Sequence, residues 1–82
     1  MQVRIRLFAA FREAVGRGDL TVDAPAGATA GQVVERLRAD YPGLGPGSDH
    51  AMLALNQEYV QASAPLADGD ELALIPPVSG GS

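Results

Sequence analysis

The chain of 82 residues contains no cysteine, no tryptophan and no lysine. Without a thiol it has no disulfide, no thiolate nucleophile and no thiolate metal site. Any sulfur chemistry must therefore take its sulfur from a partner. Without lysine, every basic side chain is a guanidinium (Arg4, Arg6, Arg12, Arg17, Arg36 and Arg38), and no side-chain amine is open to acylation. Compositional bias of the source genome is a sufficient explanation for that absence. Long apolar runs are missing too. The opening "MQVRIRLFAAF" alternates charge with apolar residues, and neither it nor any later segment has the apolar length of a signal peptide or a membrane span. A cytoplasmic protein with no membrane partner is expected. Positive charge is scarce: six basic against ten acidic residues give a formal net charge of −4. No basic stripe exists to release counterions, which argues against nucleic acid as a partner. The one histidine, His50, sits in a Gly-rich loop without a second ligand or a nucleophile, so it reads as a surface residue and no metal site is expected.

What remains is an ordinary globular composition, 46% hydrophobic and 20% charged, of a length that supports one domain with one modest core. In "QVRIRLF", Val3, Ile5 and Leu7 share one side and Gln2, Arg4 and Arg6 the other, the pattern of a half-buried strand. "AAFREAVG" changes period, with Phe11 and Val15 four apart and Gly16 as a stop, and predicts one or two helical turns. "DLTVDA" returns to alternation through Leu20 and Val22. Thr29 and Gln32 stand at capping-box spacing ahead of Val33, Val34, Leu37 and Tyr41, the apolar stripe of the main helix, with Gln32, Glu35, Arg36 and Asp40 toward water. "YPGLGPGSD" predicts the longest loop. "MLALN", a turn at Asn56-Gln57, "EYV", a turn at Asp68-Gly69-Asp70 and "ELALI" complete the pattern, with Leu72 and Leu74 inward and Ala73 and Ile75 outward. This order describes an α+β fold of the ubiquitin-like β-grasp type. It has a mixed sheet, one main helix on one face and a short extra helix after the first strand.

The stretches "LFAAFREAVG", "ALNQEYV" and "PLADGDELALIPPVSGG" resemble the MoaD sulfur carriers, the small subunits of molybdopterin synthase within the MoaD/ThiS ubiquitin-like superfamily. The resemblance spans nearly the whole chain and is most specific in the ending. It implies a domain over residues 1–76 and a flexible diglycine tail over 77–82. It also implies that Gly81 is adenylated by an enzyme resembling the ubiquitin-activating enzymes, at the expense of ATP. A sulfur donor then converts Gly81 to a thiocarboxylate, which enters the large synthase subunit and gives its sulfur to cyclic pyranopterin monophosphate. No bound cofactor is implied, the catalytic groups belong to the large subunit, and two carriers with two large subunits form the assembly. The residue types suit that chemistry. Gly80 and Gly81 lack the Cβ that would block a narrow channel. Pro76 and Pro77 favour an extended chain and lower the entropy lost on insertion, and Val78 and Ser79 would line the channel mouth.

Ser82 departs from the family pattern. A precursor trimmed after Gly81, part of a fused carrier and large-subunit polypeptide, and a cloning remnant each explain it, and each leaves Gly81 as the working end. Outward Ile75 and Tyr59, with Phe8, are candidates for a patch that meets the large subunit; a satellite core is the other reading of Phe8 and Tyr59. Arg4 and Arg6 either guide an acidic partner surface or are solvated strand positions. Arg12-Glu13 either matches an "RE" pair of the family or is plain helix surface. "DGDE" reads as turn chemistry, since its spacing is not that of a calcium loop. Two functional alternatives stay open: a carrier serving thiamine, cysteine or thio-modified RNA synthesis, and a ubiquitin-like interaction module that is never activated. Conjugation to other proteins is a further route that the diglycine chemistry permits.

Overall fold

The computed structural model of the protein describes residues 1–45 and 50–77. Alternation builds strand β1, Gln2–Leu7: Val3, Ile5 and Leu7 are buried while Gln2, Arg4 and Arg6 are exposed, as the two-residue period of a pleated strand requires. Helix α1, Ala9–Val15, buries Phe11 and ends at Gly16, whose φ of 88° supplies the left-handed cap. Strand β2, Asp19–Asp23, returns antiparallel to β1, with Val3 opposite Val22 and Ile5 opposite Leu20. The Met1 ammonium closes this end of the sheet by donating to the Ala24 carbonyl at 2.8 Å and standing 3.6 Å from the Asp23 carboxylate.

Helix α2, Ala30–Asp40, begins with the capping box that Thr29 and Gln32 predict. The Thr29 hydroxyl accepts from the Gln32 N–H at 3.3 Å, and the Gln32 side chain accepts from the Thr29 N–H at 2.9 Å. Two more amides of the first turn are satisfied by the chain after β4: the Ala30 N–H donates to Ala64 and the Gly31 N–H to Ala62, at 2.9 and 2.8 Å. This approach explains Gly31. A Cβ there would stand 3.0 Å from the Ala62 Cβ and 3.2 Å from its carbonyl oxygen. Ala30, Val33, Val34 and Leu37 form the buried stripe, and Gln32, Glu35, Arg36 and Asp40 are exposed as expected. Tyr41 caps the helix rather than extending it, and packs half-buried against the core.

A 3-10 turn at Pro42–Leu44 follows where the sequence predicts only loop, and it buries Leu44. Strands β3, Met52–Leu55, β4, Glu58–Val60, and β5, Glu71–Ile75, complete the chain. The β3–β4 turn places Asn56 and Gln57 at φ of 49° and 73°, the two left-handed positions of the tight hairpin turn that matches strand twist. The five strands lie in the order β2-β1-β5-β3-β4, with β1 and β5 parallel and the other pairs antiparallel. Strand β5 is thus the central strand, and Leu72 and Leu74 from it are fully buried with Val3, Ile5 and Leu37. Burying each such side chain contributes about 1.5–3 kcal/mol. The mixed sheet, the main helix and the short α1 agree with the fold read from the sequence. Among the described residues no helix is long and apolar enough to cross a membrane.

Candidate functional site

Core packing occupies one face of the sheet and leaves the other open. On the open face the register sets Tyr59, Ala54, Ala73, Arg6 and Asp19 in one row across all five strands. The two alanines in the middle carry only methyl groups. A furrow of about 250 Å³ results, with Tyr59 on the β4 side, Arg6 and Phe8 on the β1 side, and Ile75 along it. The three residues nominated from sequence for partner contact are therefore brought together. Phe8 is 38% exposed and Tyr59 70% exposed, which rules out the satellite-core reading for both; Ile75 is half-buried. Phe8 reaches this rim because the chain leaves β1 through Ala9 at φ 49°, a left-handed conformation uncommon for a residue with a side chain. Sequence reasoning missed Met52, 40% exposed and opposite Ile75 in register. The signal was present, since alternation along "MLALN" puts Met52 on the same side as Ala54.

The furrow has a polar border. The Arg6 guanidinium lies over the Phe8 ring, 5.5 Å from its centroid, and 3.9 Å from the Glu71 carboxylate, contacts that contribute little stability at an exposed site. Beyond Arg6 toward β2 and α1 the surface changes character. A wider, open depression of about 790 Å³ is lined by Arg4, Arg6, Arg12 and Arg17, with Asp19 and Glu71 among its carboxylates. The Arg17 Nε donates to the Asp19 carbonyl at 2.8 Å.

The tail departs beside the furrow. Leu7 pairs with Leu74, so the end of β5 lies next to Phe8. Pro76, half-buried, and Pro77, exposed, continue directly from β5. Val78, Ser79, Gly80, Gly81 and Ser82 lie outside the described residues, and with them all but the first residue of the tail expected over 77–82.

Asp70 is the hub of a clasp that joins three strands. Its carboxylate accepts from the Asn56 side chain at 3.0 Å and from the Ala67 N–H at 2.8 Å, its carbonyl accepts from the Arg4 N–H, and the Asn56 side chain in turn accepts from the Glu71 N–H. The Asn56 hydrogen bond, followed by that from Ala67, holds the Asp70 carboxyl below its ordinary value. "DGDE" is turn chemistry as expected: Gly69 sits at φ 86° and Asp68 accepts from the Gln2 N–H. His50 is exposed, and among the described residues no cluster of metal-ligating side chains occurs. What the described surface offers is a bipartite face, apolar beside basic, next to the point where the tail leaves.

Comparison with known proteins places this arrangement. The model of the ThiS family matches residues 5–81. The chain is 41% identical over 81 residues to a molybdopterin synthase sulfur carrier subunit from Arabidopsis thaliana, covering 99% of this chain and 84% of the relative. Among solved structures, SAMP1 from Haloferax volcanii superimposes with a TM-score of 0.88 at 34% identity, covering 99% of this chain and 100% of that one. The complex of subunits 1 and 2 of the molybdopterin-converting factor from Helicobacter pylori contains a chain that superimposes with a TM-score of 0.69 at 26% identity, over 99% and 100% of the two chains.

Proposed function

The chain belongs to the ThiS family, and from that membership we propose that it is the sulfur carrier subunit of a molybdopterin synthase, acting in molybdenum cofactor biosynthesis. The observation that carries this reading is the likeness to named carriers of that pathway along almost the entire chain, in a family match that runs to the second glycine of the tail. The partner it implies is a large synthase subunit, the kind of pair present in the Helicobacter pylori complex.

The chemistry follows from the electrophile. A carboxylate is a poor acyl donor, so the Gly81 carboxylate first attacks the α-phosphorus of ATP within an activating enzyme, releasing pyrophosphate and forming an acyl-adenylate. Sulfur delivered at the sulfide level by a donor then attacks the acyl carbon, forming the C–S bond as the C–O bond to AMP breaks, and the resulting thiocarboxylate is carried into the large subunit. Gly80 and Gly81 give the clearance for two different enzyme channels. Pro76 and Pro77 hold the approach extended, and Val78 and Ser79 meet the channel mouth. Phe8, Tyr59 and Ile75 supply the fixed contact that positions the tail, since exposed apolar clusters mark interfaces. The chain provides no acid-base group to the transfer; the large subunit provides them. The reading requires a free carboxylate on Gly81, whichever origin accounts for Ser82.

Intact-mass spectrometry tests this. A chain ending at Gly81, incubated with ATP, a sulfur donor and the activating enzyme, is expected to gain the mass of an oxygen-to-sulfur exchange and then to convert pyranopterin in the presence of the large subunit. A chain lacking Gly80 to Ser82 is expected to fold normally and do neither. Equal activity of the two chains would overturn the carrier reading.

A further inference from the structure

The arginines are not spread evenly over the molecule. Four of the six, with two of the ten carboxylates, line the single open depression over β1, β2 and α1. That region carries a formal charge of +2 and the remaining sequence −6. In a chain with excess negative charge, a cationic face of this kind acts at distances up to the Debye length, about 10 Å at moderate salt.

The cations in it are available. Among the described residues Arg4 and Arg12 make no ion pair and no hydrogen bond through their side chains, and both are exposed. Arg6 has the loose 3.9 Å contact with Glu71 and lies over the Phe8 ring, and Arg17 uses one donor on a backbone carbonyl. Arg12 is placed by the fold, because its side chain lies over Gly18, where an added Cβ would stand 3.4 Å from Nε. Arg6 and Phe8 border both this depression and the apolar furrow, so the two form one continuous surface.

We propose that the basic half of the open face is a docking surface for a carboxylate-rich patch on a folded protein partner, a patch set beside the apolar group that fills the furrow. Its role is to steer and orient encounter before the tail is engaged. A nucleic acid does not fit, since outside this depression the sequence carries a formal charge of −6. A small anion does not fit either, because the depression is open and broad and carries Asp19 and Glu71 among the arginines. Guanidinium forks suit carboxylates on a protein surface. The inference takes the identity of the partner, the large synthase subunit, from the sulfur-carrier reading; the charge chemistry stands without it.

Stopped-flow association with the large subunit at several salt concentrations tests the proposal. The double variant Arg4→Gln/Arg12→Gln is expected to associate roughly tenfold more slowly than wild type at low salt, with a flatter salt dependence and a dissociation rate within about twofold. Arg36→Gln, on α2, serves as control and is expected to match wild type. Equal association rates for the double variant and wild type would overturn the proposal, and so would an equal effect of Arg36→Gln. A second measurement separates the two readings. A glutamate-rich peptide carrying one aromatic residue is titrated into isotope-labelled protein, with shifts followed at the arginine Nε–H groups. Shifts confined to Arg4, Arg6, Arg12 and Arg17 support the docking surface even if the large subunit does not bind, in which case the sulfur-carrier reading alone falls. Shifts spread equally over all six arginines would overturn it.

Discussion

The two faces of the sheet come from the same strands and obey opposite rules. Beneath α2, Val3, Ile5, Leu72 and Leu74 are fully buried and interlock with Leu37. On the other face the neighbours of those residues, Arg4, Arg6, Glu71 and Ala73, are half-buried or exposed, and the two alanines floor a furrow between Tyr59 and Arg6. Because side chains alternate along a strand, odd and even positions of one segment can serve stability and recognition separately. A substitution at Ile5 and one at Arg6 differ in kind although they are adjacent.

This contrast is sharpest at Leu37. Replacing it with alanine leaves a cavity at the centre of the helix–sheet contact and is expected to cost about 2–5 kcal/mol in urea unfolding, without altering any group that faces a partner. A loss of partner affinity as large as the loss of stability, at a temperature where the variant is still folded, would show that the faces are not independent. Tyr59→Ala makes the converse test. Affinity for the large subunit is expected to fall by roughly 1–2 kcal/mol while stability changes by no more than about 0.5 kcal/mol. If unfolding shifts as far as for Leu37→Ala, the furrow is a second core and the comparison breaks.

The smallest effect is expected where the faces meet, at the Asp70 clasp. The folded carboxyl lies below its unfolded value of 3.8, so folding favours the ionised form. Its contribution is fully present above that unfolded value and is lost as pH falls through the lower folded one. Asp70→Asn is therefore expected to lower stability by about 0.5–1.5 kcal/mol at neutral pH, with the gap from wild type closing under strong acid. Parallel stability curves for the two proteins from neutral to acid pH would sink this assignment.

Much of this was legible in the sequence for identifiable reasons. The alternation of "QVRIRLF" and "ELALI" carries the two-residue period that separates the faces. Thr29 and Gln32 announce the start of α2, and Asn56-Gln57 announces a turn. Phe8, Tyr59 and Ile75 stood out because they are apolar at positions where the pattern calls for polar residues. Leu44 and Leu66 did not stand out, since loop residues have no period to reveal that they are buried. Nor did the role of Gly31, which depends on a contact with Ala62 thirty-one positions away. The furrow floor, Ala54 beside Ala73, and the convergence of Arg12 and Arg17 on the strand arginines depend on which strands are neighbours and in what register. Alternation within a strand does not encode that.

The guanidinium-only surface has one more consequence. With no lysine and no cysteine in the sequence, the ordinary soft and amine nucleophiles are missing from every side chain, and the Met1 ammonium is held by Ala24 and Asp23. Guanidinium groups stay protonated and do not attack acyl groups at physiological pH. On the sulfur-carrier reading, an acyl-adenylate at Gly81 would therefore meet no side-chain amine or thiol on another copy of this chain.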